Sequence, residues 1–131
     1  MGTGAFSIVL QNPRYPKWAL KIYADRAYHS YYTKLAMKSD NPHYPRGLKP
    51  KNLTDKQNPC RMVWLEKLSR NYNKANSVIV AYEYSSHRLH DTYPRLKEAF
   101  DKIKGLNHYT DISDNNIMYR KGIPVITDPV V

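Results

Sequence analysis

"TDISDNNIMYRKGIPVITDPVV", residues 110–131, is the stretch on which the reading of this chain turns. Asp111, Asp114, Asn115, Asn116 and Asp128 all fall within it. A surface loop accounts for some of these polar groups, because Asp and Asn suit turns and caps. It does not account for the intervening Ile-Met and Pro-Val-Ile-Thr, which read as short buried strands around a turn at Lys121-Gly122. A carboxylate and an amide in one loop, with a second carboxylate at a strand end, can share magnesium. That ion takes a few hard oxygen ligands and completes its shell with substrate phosphates. Asn116 and Asp128 suit the metal, and Asp111 is left to orient a hydroxyl and accept its proton.

Three elements lie upstream. In "GTGAFSIV", residues 2–9, glycines let backbone N–H groups approach phosphate oxygens, although Ser7 stands where G-x-G-x-x-G has its third glycine. In "WALKIY", Lys21 projects from a strand flanked by apolar residues, and a buried ammonium needs an anionic partner. The strand "RMVWLEKL", Arg61 to Leu68, runs into a linker whose backbone around Glu66 to Leu68 can meet an adenine ring. Each element alone is matched by a plainer explanation: a glycine turn, an edge-strand lysine, a strand end, a set of capping residues. Together and in this order they form the layout of a protein kinase.

The rest of the chain reads as an α+β domain. Ile8-Val9-Leu10 and Trp18 to Tyr23 form two strands joined by a turn. Asp25 caps a helix whose Tyr28, Tyr31, Tyr32 and Leu35 follow the i, i+3, i+4, i+7 rule. Residues 40–59 are mostly loop. Residues 74–89 are ambiguous, since "VIVAYEY" favours a strand by propensity but also suits a buried helix. A helix spans Pro94 to Lys104, with Leu96, Ala99, Phe100 and Ile103 on one face and Gly105 at its end.

Composition narrows the function classes. The 131 residues suit one domain with a modest core. Cys60 is the sole cysteine, so no internal disulfide forms, and a reducing, cytoplasmic setting is expected. No apolar run is long enough to span a membrane, and Phe6 stands where a myristoylation signal wants Ser or Thr. The net charge of +10 is uneven. Residues 1–70 carry 13 Lys or Arg against 4 Asp or Glu, and residues 71–131 carry 8 against 7. Such a basic half suits phosphate, nucleic acid or an acidic protein surface, or simply a solvated face. Direct nucleic-acid binding through stacked tyrosines is not favoured, because Tyr28, Tyr31 and Tyr32 sit at core spacing. His87, His90 and Asp91 read as a helix-end cluster rather than a metal site.

On these residues the chain resembles the early protein kinases of lytic, short-tailed bacteriophages. "DISDNNIMYRKGIPVITDPV" is similar to that family's D-x-x-x-G-N-I-M-F followed by P-x-I-T-D-P-V, with D-P-V in place of D-F-G. "GTGAFS" resembles its G-x-G-x-F-S, and "WALKIY" its V-I-K-V segment. The resemblance implies a kinase-like fold in two parts: residues 1–68, a small antiparallel sheet with one helix, and residues 69–131, a reduced helical part carrying the catalytic loop. It implies an ATP- and Mg²⁺-dependent serine/threonine kinase in the host cytoplasm, acting on bacterial transcription or RNA-processing proteins. By position, Asp111 is then the catalytic aspartate, Asn116 and Asp128 hold magnesium, and Lys21 holds the α/β-phosphates. Gly2, Gly4, Phe6 and Ser7 form the phosphate lid.

The pattern also departs from ordinary kinases. Tyr109-Thr110 replaces His-Arg, which argues against control by a phosphorylated activation loop, and Ser113 replaces a lysine near the transferred phosphate. The helix from Arg26 to Ser39 contains no Asp or Glu, so the usual lysine–glutamate pair cannot form from it. Three residues follow Asp128, so an activation segment and a peptide-holding helical platform are expected to be missing. An alternative is therefore a kinase-fold protein without catalysis that docks on a host protein. A small-molecule phosphotransferase ranks last, because such enzymes need a large helical lobe.

Overall fold

A computed structural model of the protein describes residues 7–54, 60–84, 91–106 and 108–130. It is an α+β fold built on a small antiparallel sheet with a few helices. The sheet has four strands in the order β1-β2-β4-β3: β1 (Ser7–Gln11), β2 (Trp18–Tyr23), β3 (Lys51–Asn52) and β4 (Arg61–Glu66). Ser7 pairs with Tyr23 and Gln11 with Ala19, and the β1–β2 turn is closed by Tyr15 N–H donating to the Asn12 carbonyl at 2.9 Å. Along β2, Ala19, Lys21 and Tyr23 alternate onto the buried face, as a period of two requires.

Helix α1 (Arg26–Tyr31) covers that face. Asp25 starts it as expected, its Oδ1 accepting from Ala27 N–H at 2.8 Å. The helix then widens into one π turn, Tyr32–Ala36, in which Met37 N–H reaches back five residues to the Tyr32 carbonyl at 2.8 Å. The ambiguous stretch is helical: α2 (Tyr72–Glu83) is capped by Asn71, whose Oδ1 accepts from Lys74 N–H at 3.1 Å. The β-branched run yields here because Ala75, Val78 and Ile79 fall on one buried face, and tertiary burial outweighs local propensity. Helix α3 (Leu96–Lys104) buries all four apolar residues expected of it, although it begins after Arg95, leaving Pro94 outside the first turn. Likewise β4 ends at Glu66, two residues short of the expected strand.

The closing residues fold as read. β5 (Ile117–Arg120) and β6 (Ile123–Ile126) form a hairpin around Lys121 and Gly122, with φ of 50° and 83°. Two successive positive φ values are what a two-residue hairpin turn of matching twist requires.

The core is rich in tyrosine. Tyr23, Tyr28, Tyr31, Tyr32, Tyr44 and Phe100 are fully buried among Leu96, Ile103, Ile117, Ile126 and Val63. Burying an aromatic ring contributes about 1.5–3 kcal/mol, and a tyrosine keeps that gain best where its hydroxyl finds a partner. Tyr31 donates to the Ile126 carbonyl, Tyr32 to Leu48 at 2.9 Å, and Tyr44 to Ala99 at 3.0 Å. These bonds tie α1 to the hairpin and residue 44 to α3. No helix among the described residues is long and apolar enough to cross a membrane.

Candidate functional site

A cleft of about 290 Å³ lies between the four-stranded sheet and the β5–β6 hairpin. Val9, Ala19 and Leu65 line it from the sheet, and Met118 lines it from the hairpin. The register explains the sheet side: Val9 lies opposite Lys21 and Ala19 opposite Leu65, so all four share one face. Glu66, Lys67 and Leu68 close one edge, and Lys21, Asn116 and Asp128 converge at the cleft. A wider groove of about 860 Å³ runs along α2 past Val80 and Tyr84, but no carboxylate is among the described residues that line it.

Lys21 is only 7% exposed, and its Nζ lies 3.6 Å from Asp128 Oδ2. Burial lowers the Lys21 amine below its ordinary value, while Asp128 and Asp25 pull it back up. Burial likewise raises the Asp128 carboxyl, opposed by Lys21 and reinforced by the negative charges of Asp25 and Asp111. Desolvation thus outweighs mutual attraction for both partners, which makes the pair a poor source of stability. It gains from any further charge brought to it: an anion at Lys21, a cation at Asp128.

Asp111 and Asn116 sit beside this pair. Asn116 Nδ2 donates to the Asp111 carbonyl at 2.8 Å and to its Oδ2 at 3.1 Å. That bond spends the amide nitrogen and leaves Asn116 Oδ1 as an oxygen ligand. The turn Asp114–Asn116 is held by Arg70, whose guanidinium donates to the Asn115 carbonyl at 2.7 Å and the Ile117 carbonyl at 3.2 Å. The Asp111 loop is fastened to the segment after Asp128 by Asp111 N–H donating to the Pro129 carbonyl at 2.6 Å, and by a bridge between Thr110 and Val130. The Asn116 carbonyl accepts from both the N–H and the hydroxyl of Thr127, at 2.8 and 3.1 Å.

The residues offer a metal ion a partial set of ligands. Among the described residues, no group of three His, Cys, Asp or Glu is placed to hold one by protein ligands alone. Asp128 Oδ1, however, is buried without a hydrogen-bond partner. With Asn116 Oδ1 it offers two hard oxygens, the partial set that magnesium accepts when phosphates and water supply the rest.

Other expected site residues fare differently. Ser7 lines the cleft. Gly2, Gly4 and Phe6 lie outside the described residues, as do His87 and His90 of the histidine cluster. Leu68 lines the cleft, but the Glu66 side chain is committed elsewhere, to Arg120 Nε at 2.5 Å. The Glu66 N–H is also used, donating to the Arg46 carbonyl at 2.9 Å, so the Glu66 backbone can meet a ligand through its carbonyl and not its N–H. Sequence reasoning missed Arg120, which also donates to the carbonyls of Pro42 and Tyr44 at 2.8 and 3.0 Å. It missed the apolar walls too, although Ala19 is two residues from Lys21 on the same strand face and Met118 two residues from Asn116. Comparison of the chain with family models, with curated proteins and with solved structures finds no match.

Proposed function

We propose that this cleft binds Mg-ATP and that the chain, a minimal kinase-like fold, transfers the γ-phosphoryl group to serine or threonine hydroxyls. The observation that carries the reading is the convergence of Lys21 and Asp128, 107 residues apart in the chain, to 3.6 Å, with Asp111 and Asn116 hydrogen-bonded beside them. Val9, Ala19 and Leu65 facing Met118 make an apolar slot for a flat base. The Glu66 and Lys67 N–H groups are taken by the Arg46 and Lys17 carbonyls, so the edge offers the base the carbonyls of Glu66 to Leu68 and the Leu68 N–H. Lys21 then neutralises the phosphates. Asp128 and Asn116 would hold the metal through their free side-chain oxygens, and the ion would screen phosphate charge. Asp111 orients the attacking hydroxyl and accepts its proton. A bond forms from that oxygen to the γ-phosphorus, the bond to the β–γ bridging oxygen breaks, and ADP leaves. Little covalent help is needed, since positioning and electrostatics supply most of phosphoryl-transfer catalysis.

The substrates we propose are host bacterial proteins of transcription or RNA processing, met in the host cytoplasm. This rests on the resemblance to phage kinases and on the basic first half of the chain. A thermal-shift titration with ATP, with and without magnesium, tests binding. A ligand at one hundred times its Kd stabilises the native state by about 2.7 kcal/mol. Magnesium-dependent stabilisation that disappears in Asp128→Ala is the expected result, and no shift at millimolar Mg-ATP overturns the reading.

One observation favours a second reading, a kinase-fold protein that binds a host protein without chemistry. β1 is an edge strand, and its Ile8 and Leu10 are exposed, which suits strand addition by a partner. A host partner retained at full affinity by Asp128→Ala, with no label transferred from ATP, would favour it.

A further inference from the structure

Helix α1 offers Lys21 no acid, yet the ammonium is not left to Asp128 alone. Its Nζ sits 3.4 Å from the centroid of the Tyr28 ring. Tyr28 is the third residue of α1, placed over β2 by the Asp25 cap, and is 1% exposed. Its ring is itself held by neighbours: edge-on to Tyr23 at 4.8 Å and to Tyr31 at 6.4 Å, and stacked with Tyr32 at 6.1 Å. A ring this constrained presents a fixed face, and the negative face of an aromatic quadrupole attracts a cation most where water is excluded. The Tyr28 hydroxyl is buried with no hydrogen-bond partner, so it is the ring and not the hydroxyl that has found a use.

We propose that Tyr28 is a positioning residue, its ring face seating the Lys21 ammonium in the place where a helix carboxylate would otherwise hold it. The seat differs from a carboxylate in one physical respect, which is that it carries no charge. A helix acid would compete with phosphate for the ammonium and add to the negative charge of Asp25, Asp111 and Asp128 around it. The ring holds the amine and leaves its charge to the ligand. When a cation draws on Asp128, the ring still keeps Lys21 in place. Its relevance to nucleotide rests on the function proposed above, but the seat itself does not.

The experiment is a double-mutant cycle read two ways. Tyr28→Phe keeps the ring and removes the idle hydroxyl. Replacing residue 28 with 3,4,5-trifluorophenylalanine keeps the shape and drains the face of negative potential, so it avoids the cavity that Tyr28→Leu would leave. Each is made in the parent and in Lys21→Met. By urea unfolding without nucleotide, the trifluoro ring should lower the folding constant at least threefold relative to Phe in the parent, and leave it unchanged in Lys21→Met. Equal losses in the two backgrounds overturn the seat and leave Tyr28 a packing residue. By Mg-ATP titration in the Lys21 background, the trifluoro ring should bind several-fold more weakly than Phe. A parent that binds no Mg-ATP sinks the proposed function, while the unfolding arm still decides the seat.

Discussion

Replacing Arg120 with methionine should cost the fold more than any other single change on the surface of the hairpin. Arg120 joins three parts of the chain: it pairs with Glu66 at the cleft edge, donates to the Pro42 and Tyr44 carbonyls, and is carried by β5. Its side chain is 16% exposed and that of Glu66 18%, so the pair is largely shielded from water. Removing one partner of such a pair costs about 3–5 kcal/mol, because the other charge stays buried and unanswered. Unfolding entropy of about 2.1 cal/mol/K per residue converts this to a fall in Tm of roughly 11–18 °C for a chain this long. Most of the loss comes from the stranded carboxylate, so Arg120→Met with Glu66→Leu should recover a good part of it. The remainder reflects the two carbonyls, each worth about 1 kcal/mol. Urea unfolding followed by the fluorescence of Trp18 and Trp64, one on β2 and one on β4, measures both of these variants and Glu66→Leu alone. A loss under about 1 kcal/mol for the single change would refute the argument from burial. So would strictly additive losses.

Three further outcomes are expected. Asp111→Asn should lower phosphoryl transfer by about 10²-fold or more, as loss of a general base does, with Mg-ATP affinity held within a few-fold; transfer that survives removes Asp111 from its role. His43, whose Nδ1–H donates to the Pro124 carbonyl at 2.8 Å, is held below its ordinary pKa mainly by burial. Its unfolded form takes up a proton first, so the stability it lends is whole above about pH 6.5 and is lost as pH falls from there toward the depressed folded value. His29 is lowered too and acts in the same direction, so His43→Gln should flatten but not abolish the slope of urea midpoints between pH 7.5 and 5.5; an unchanged slope counts against the assignment. Gly47→Ala would place a Cβ 2.3 Å from the Trp64 carbonyl and 2.7 Å from the Tyr32 hydroxyl, forcing β4 aside. A loss of about 1–3 kcal/mol is expected from such overpacking, and thermal unfolding at parental Tm would contradict it.

What could be read in advance was what local chemistry decides. Lys121-Gly122 between alternating apolar residues announces a hairpin, and Asp25 before a tyrosine-spaced run announces a capped helix. The α2 run could not be settled that way, because its β-branched residues point to a strand while Ala75, Val78 and Ile79 gain their burial only from distant neighbours. Glu66 shows the same limit at the site. Its backbone was expected at a ligand edge and Glu66 does line the cleft, but its side chain pairs with Arg120, 54 residues later, and nothing local announces that pairing. Tyr28 was legible as a core residue from its spacing. That its ring would lie against Lys21 depended on the angle at which α1 crosses the sheet, which no local pattern encodes.

The fastening of the Asp111 loop to Pro129 and Val130 has a mechanical consequence. Both acids travel on one stitched unit with the hairpin, whereas the amine travels on the sheet. Breathing of the cleft therefore stretches the spacing between amine and acid and leaves the spacing between the acids alone. In the proposed function, a nucleotide would come and go while the spacing of the acids that face its counterion keeps its shape.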